Sequence, residues 1–198
     1  EVGAVEVTDL VPAPADDPRG AGLAGGALPI TIGGVLTGTV TALLLLRRRD
    51  RLAGVAAMAL GIGSVIVAVL HGVYGTLAGN VALEVLAVSA GVGAIGLVLV
   101  GLHSAVGRAG LVAADLVLIL VGNPFSAATA APELLPEPWS GVGHWMPLGA
   151  TVDLLRGLSG FDGSGTAAPW IALLVWSAFG AALLLLPTGL RRSAGSRG

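Results

Sequence analysis

Residues 20–46 read GAGLAGGALPITIGGVLTGTVTALLLL, a run of 27 residues without a charged side chain, and residues 47–51 read RRRDR. As an α-helix this run would be roughly 40 Å long, which is enough to cross the ~30 Å hydrocarbon core of a bilayer with some tilt. The arginines would then stop the helix at the membrane surface. The stretch therefore predicts a first membrane-spanning helix over residues 20–46.

Four further apolar runs, each ending near charged or turn-forming residues, follow along the chain. They predict helices at about 52–73, 81–102, 109–121 and 168–186. The predicted fold class is all-α, a polytopic transmembrane helix bundle with five spans and an outer re-entrant helical segment, 123–165, between the last two. Residues 1–19 are predicted to be an extracytoplasmic segment, and residues 20–198 form the transmembrane domain.

The composition supports a membrane protein and excludes several kinds of chemistry. Charged residues make up 11% of the chain and the mean hydropathy is +0.91, whereas soluble domains carry about 25% charged residues. The chain has no cysteine, so it has no thiolate nucleophile and no cysteine-ligated metal. It also has no lysine, which excludes the nucleotide-binding loop GxxxxGK[ST]. Ala, Gly, Val and Leu dominate the composition and arginine replaces lysine throughout, a bias that is typical of a GC-rich bacterial genome.

The distribution of arginine predicts the orientation. Eight arginines fall on one side of the predicted spans and two, Arg19 and Arg156, on the other. Because positive residues stay in the cytoplasm, the N-terminus is predicted to lie outside and the C-terminus inside a bacterial plasma membrane. Four aromatic residues support this orientation, since they map to the predicted outer boundary: Tyr74, Trp139, Trp145 and Trp170.

Small residues recur at four-residue spacing in the first span, as Gly22 with Gly26 and Gly34 with Gly38. Such pairs allow two helices to approach closely in lipid. They predict that this span packs against its neighbours through its glycines.

His71 and Glu84 are candidate polar positions inside the membrane. The turn between the second and third spans centres between residues 77 and 78, so these two side chains are predicted to lie at equal depth on facing helices. A paired ionisable couple in a membrane is a candidate proton site. Structural pairing, or solvation from the outer surface, is the alternative.

Asp115 is a third candidate, since it lies about 10 Å from either end of the fourth predicted span. A charged carboxylate there would cost about 2.5–3.5 kcal/mol, so the residue is predicted to face the bundle or a wet cavity, or to be protonated. Hydrogen bonding to Ser, Thr or backbone and a role in translocation are both compatible with this position.

The remaining polar residues match no catalytic or cofactor-binding motif. The arginines at 47–51 are the ordinary topology signal of a cytoplasmic boundary. Ser140, His144 and Asp153 lack the GxSxG motif of a nucleophile elbow, and the sequence has no HExxH zinc motif. The chain is therefore predicted not to be an enzyme, and it is assigned no catalytic, cofactor or metal residues.

The stretch between the last two predicted spans carries a distinctive pattern. It reads PELLPEPW at 132–139, HWMPLG at 144–149 and VDLLRGL at 152–158, after NPFS at 123–126. With DLVP at 9–12 and DPRG at 17–20, this pattern resembles ABC exporter permeases of the second type, in the phage-infection-protein-like branch known mainly from actinobacteria and other Gram-positive membranes. In that family the segment is a proline-bounded re-entrant hairpin on the outer side.

The resemblance implies a six-helix permease for amphiphilic or lipidic substrates, whose first helix and extracytoplasmic domain would precede Glu1. It implies paired protomers, as a homodimer or heterodimer, a separate ATPase subunit and no nucleic acid. It also implies an outer gate with six candidate residues: Pro132, Pro136, Trp139, Trp145, Pro147 and Arg156. The loops at 47–51 and 103–108 are short for gripping an ATPase. The alternative function is therefore a non-transporting membrane anchor or scaffold for an extracytoplasmic domain.

Overall fold

The computed structural model describes residues 17, 21–122, 139–161 and 163–186, and these residues form helices joined by short connections. The side chains of residues 21, 121, 139 and 140 lie outside the description. In chain order the helices are α1 (Ala21–Leu44), α2 (Arg48–Gly72), α3 (Val81–Val106), α4 (Arg108–Val117) with a π-helical continuation (Leu118–Gly122), α5 (Trp139–Trp145), α6 (Pro147–Gly160) and α7 (Ala167–Leu185).

Four of these helices, α1, α2, α3 and α7, are long and apolar enough to cross a membrane. They match four of the predicted spans to within a few residues at each end. Their outward surfaces are also apolar, since Leu36, Leu60 and Leu174 are at least half exposed. Many large apolar side chains facing outward are expected where the solvent is lipid, so the protein belongs in a bilayer.

The fourth predicted span, over residues 109–121, is a helix, but a shorter one than a full crossing needs. Its ten α-helical residues and five π-helical residues rise roughly 20 Å, against a core of about 30 Å. Within the described residues, four helices, and not five, are therefore long enough to be full spans. Residues 123–138, which would continue from it, lie outside them.

Helix α3 forms the centre of the bundle and packs against α1, α2, α4, α6 and α7. Most of its side chains between residues 87 and 101 are buried, as Val88, Val92, Leu99 and Val100 show. A helix that is apolar around its whole circumference is suited to such an enclosed position. Helix α3 is therefore the span that the other helices enclose.

Glycines allow the helices to approach closely, as the small-residue spacing predicted. A Cβ on Gly34 would lie 2.6 Å from the Cβ of Ile95, and one on Gly38 would lie 2.7 Å from a methyl carbon of Leu99. A close contact with backbone involves Gly180 of α7, where a Cβ would lie 2.6 Å from the backbone nitrogen of Val98. Cβ atoms essentially never lie within 3.0 Å of another heavy atom in this way, so a larger residue at any of these positions would push a neighbour away.

One end of the bundle, here called the arginine end, is organised by two guanidinium groups. Arg48 donates to the carbonyl oxygens of Leu185 and Leu186, at 2.8 and 2.7 Å, and so caps the end of α7. Arg51 donates to the carbonyl oxygens of residues 42 and 45 at the end of α1 and to Ser104 Oγ near the end of α3. The last turns of α1, α3 and α7 therefore lie at the same end.

Helix α6 lies inside the bundle. The indole Nε1 of Trp176, the tenth of nineteen residues in α7, donates to the carbonyl oxygen of Trp145 at 2.6 Å. Thr151 packs on Gly91 of α3, and Leu158 packs against Gly79. Helix α6 therefore begins near the middle of the bundle and rises antiparallel to α3 to the end opposite the arginines. Trp145 lies at this middle depth and not at the outer boundary, so the sequence-based placement of Trp145 was wrong.

Candidate functional site

The end opposite the arginines contains a fully buried carboxylate, that of Glu84. We call this residue and its three partners, His71, Gly79 and Ser159, the Glu84 cluster. Asn80 starts α3 as its N-cap, accepting hydrogen bonds from the backbone N–H groups of residues 82 and 83. This cap places Glu84 in the first turn of α3, where the helix dipole favours a negative charge. His71 belongs to the last turn of α2 and Ser159 to the last turn of α6.

Each oxygen of the Glu84 carboxylate has defined partners. Oε1 accepts from the backbone N–H of Gly79 at 2.9 Å and from the hydroxyl of Ser159 at 3.0 Å. Oε2 lies 3.0 Å from Nδ1 of His71. The Glu84 side chain is fully buried, whereas that of His71 is one-third exposed. The carboxylate is thus satisfied by three different parts of the chain, as a buried charge requires.

The pairing of His71 with Glu84 confirms the register predicted from the α2–α3 hairpin. The contributions of Gly79 and Ser159 were missed. A Cβ on Gly79 would crowd the backbone carbonyl oxygen of Leu158, so glycine suits this position, but only the structure reveals this contact. Nothing in the sequence points to Ser159, which is 75 residues away from Glu84.

The Glu84 cluster brings two ionisable side chains, Glu84 and His71, into contact. Ser159 donates its hydroxyl proton to the carboxylate, and no hydrogen bond joins it to the imidazole of His71, so the geometry is not that of a Ser-His-Asp triad. The carboxylate holds the end of α6 against the α2–α3 connection. His71 provides a partly exposed group through which a proton could reach it.

A second carboxylate ties the start of α1 to the same region. Asp17 Oδ2 accepts from the backbone N–H of Gly22 at 2.8 Å and from Thr76 Oγ1 at 3.0 Å. Both Asp17 and Thr76 are buried. The Asp-Pro-Arg-Gly motif at 17–20 therefore has a structural use, since its first residue attaches α1 to the α2–α3 connection.

Asp115 lies on α4 and is half-buried. Its Oδ1 is buried and makes no hydrogen bond to the residues that the structure describes. The predicted hydrogen bond to Ser, Thr or backbone is therefore not found for this oxygen. The structure does not bring Asp115 into the Glu84 cluster.

The candidate gate residues fall in three groups. Pro147 is the first residue of α6, a position that needs no N–H donor, and the carbonyl oxygen of Trp145 is satisfied by Trp176. Arg156 lies 3.4 Å from Asp153, whose other oxygen pairs with His144 Nδ1. Trp139 starts α5, but its side chain lies outside the described part, as do Pro132 and Pro136 altogether.

Two of the arginines at 47–51 also form hydrogen bonds with the ends of other helices. Arg48 and Arg51 cap the carbonyl ends of α7 and α1, a use that the sequence pattern did not indicate. Arg49 is mostly exposed and lies 3.8 Å from its neighbour Asp50. Within the described residues, no group of three His, Cys, Asp or Glu side chains could hold a metal ion.

The fold and the buried polar cluster place the chain in the class of multi-helix membrane proteins. No protein-family model, curated protein or solved structure matches it. The likeness to exporter permeases therefore stays a prediction from sequence motifs.

Proposed function

We propose that the chain is a permease-like membrane subunit, of the ABC exporter type, that moves amphiphilic or lipidic substrates, with α5 and α6 as its outer gate. The observation that carries this proposal is the Glu84 cluster, in which a buried carboxylate fastens the end of α6 to the rest of the bundle. Intramembrane ionisable groups are expensive, and a functional role is the default expectation for them.

Five crossings are part of the proposal. Helices α3 and α7 both end at the arginine end, so the chain between them has to return to the opposite end once. Helix α4 starts this return, directly after Gly107. With the arginines in the cytoplasm, the N-terminus is outside, the C-terminus is inside and the Glu84 cluster faces the outer side of a bacterial plasma membrane.

The position of α6 supports a re-entrant gate. It begins beside the middle of α7, next to an irregular turn at residues 145–147, and ends at the Glu84 cluster. Irregular backbone at this depth is tolerated only where protein covers it, and here the Trp176 indole satisfies the exposed carbonyl. The hydrogen bond between Ser159 and Glu84 gives such a gate a defined polar contact to break at the end of α6.

A crosslinking experiment tests the gate. Because the sequence contains no cysteine, only the introduced thiols can react. Glu84→Cys and Ser159→Cys, joined by a short bifunctional thiol reagent, should stop release of a fluorescent amphiphile from proteoliposomes, with recovery when a cleavable reagent is cut. The control is Ala59→Cys with Gly93→Cys, whose Cβ atoms would lie 3.6 Å apart, a spacing suited to a disulfide between α2 and α3.

The control disulfide should leave the flux unchanged because it does not touch α6. Equal flux before and after crosslinking at residues 84 and 159 would reject α6 as the gate. Absence of flux from the uncrosslinked protein together with its co-purifying ATPase would reject the permease function itself.

A second function, a membrane anchor or scaffold, is favoured by the connections at the arginine end. Gly107 alone links α3 to α4, and residues 45–47 link α1 to α2. In the described part of the chain, neither connection offers a helix for an ATPase to grip. If the full-length protein is purified without a bound ATPase and gives no flux, the scaffold is the better description.

A further inference from the structure

A lateral cleft opens between α3, α4 and α7, with a volume of about 570 Å³. We call it the α3–α4–α7 cleft. Small residues of α4, Ala109 and Ala113, form one wall, and Leu102 of α3 and Phe179 of α7 form the others. Leu118 and Trp176 close its deep end. Every residue that lines it is apolar or glycine, so the cleft suits a hydrocarbon.

The cleft has the length of a single lipid leaflet. It extends along α4 from residue 109 to residue 118, or about 13 Å at 1.5 Å per residue. Half of a ~30 Å hydrocarbon core is about 15 Å. The cleft starts at the arginine end and stops at the depth of Trp176, in the middle of α7, so it matches the inner half of the bilayer.

The occupant has to be apolar along its whole length, because every residue that lines the cleft is apolar or glycine. A chain of methylene groups meets this requirement and fits within the 570 Å³. An acyl chain has this shape, and the bilayer supplies it.

A positive charge stands at the mouth of the cleft. Arg108 is exposed and directly precedes Ala109 on α4, at the arginine end. Arg48 and Arg51 are used in capping helices, whereas Arg108 forms no ion pair with the described residues. Its guanidinium has the donor geometry that binds phosphate in a bidentate manner.

We propose that the α3–α4–α7 cleft binds one acyl chain of an anionic phospholipid from the arginine-side leaflet, with the lipid phosphate on Arg108. The chain fills the space between Ala113 and Phe179, and the headgroup stays at the membrane surface. This site does not depend on the permease function, because an anchor or scaffold with the same fold would hold the same lipid.

Native mass spectrometry of the purified protein, supplied with phosphatidylglycerol or phosphatidylcholine, tests the site. The wild type should retain one phosphatidylglycerol per chain in preference to phosphatidylcholine. Ala113→Phe, which fills the cleft, should lower this retention at least tenfold. Arg108→Gln should abolish the preference for phosphatidylglycerol while some retention persists.

The matched control is Ala68→Phe, which places the same side chain on an exposed part of α2 away from the cleft. It should retain lipid like the wild type. Equal retention by the Ala113 and Ala68 variants would overturn the acyl site, and an unchanged lipid preference in Arg108→Gln would overturn the phosphate contact. If Ala113→Phe does not fold, Ala113→Leu gives the same comparison with a smaller block.

Discussion

At the scale of single residues, Glu84 connects parts of the chain that are distant in sequence. Its Oε1 accepts hydrogen bonds from the α2–α3 connection and from the end of α6, and its Oε2 pairs with His71. The carboxylate itself is fully buried, whereas its partners are partly exposed. The loss of this one side chain therefore affects three elements at once.

We expect Glu84→Ala to lower the stability of the protein by about 1–3 kcal/mol, because the N–H of Gly79 and the hydroxyl of Ser159, both partly buried, would lose their acceptor. Glu84→Gln keeps one carbonyl oxygen and should lose much less. Thermal unfolding in detergent, followed by size-exclusion chromatography, measures the difference. Equal losses in the two variants would contradict the hydrogen-bonding role.

The same residue provides a test of proton binding. If the Glu84–His71 pair carries a proton during transport, the flux of an amphiphile should depend on pH. Glu84→Gln, which leaves only the imidazole of His71 able to ionise, should alter this dependence. A Gln variant with wild-type stability and an unchanged pH profile would leave the pair with a structural role alone.

At the scale of helices, two kinds of contact hold the bundle together: arginine caps at one end and glycine contacts in the middle. The caps satisfy carbonyl groups at the ends of α1 and α7, which have no partner within their own helix. The glycines let α1 and α7 lie against α3 at the distance of backbone contact. Van der Waals packing, and not burial from water, drives such association in lipid.

Arg51→Met should destabilise the bundle, because it removes three hydrogen bonds between α2 and the ends of α1 and α3. A loss of about 1–3 kcal/mol is expected for hydrogen bonds from a charged donor. Arg49→Met is the matched control, since its side chain is exposed and makes only a long contact with Asp50. The midpoint of unfolding in detergent should be lower for Arg51→Met than for Arg49→Met. Equal midpoints would refute the capping role.

Gly180→Ala should cost about 1–3 kcal/mol, because its Cβ would meet the backbone of Leu97 and Val98. Gly61→Ala, on an exposed part of α2 with nothing within 4 Å of the added carbon, should be neutral or stabilising. The readout is the fraction of folded protein after heating. A harmless Gly180→Ala would mean that α7 is less closely packed than described.

At the scale of the whole molecule, the topology follows from the end of the bundle at which each helix terminates. The arginine end collects the last turns of α1, α3 and α7, and the Glu84 cluster lies at the other end. Helix α6 reaches only half of this distance. Among the described residues, two buried carboxylates, Glu84 and Asp17, join the helices at the end opposite the arginines.

Single cysteines introduced into the chain test this topology in intact cells. Tyr74→Cys and Ser164→Cys should react with an impermeant thiol reagent from outside, because both precede a helix that runs toward the arginine end. Leu46→Cys, which is highly exposed at the arginine end, should react only after the cells are opened. Labelling of residues 74 and 164 from opposite sides would rule out the five-crossing arrangement.

The sequence by itself determined the helical membrane fold, the bounds of four spans and the pairing of His71 with Glu84. Apolar runs and charges reveal where a chain enters lipid, and a tight hairpin fixes its own register. Only the tertiary structure brought Ser159 to Glu84, placed Trp145 at middle depth, shortened α4 and made helix caps of Arg48 and Arg51. These contacts join residues that are up to 138 positions apart. No local pattern encodes them, because they depend on how the helices pack in three dimensions.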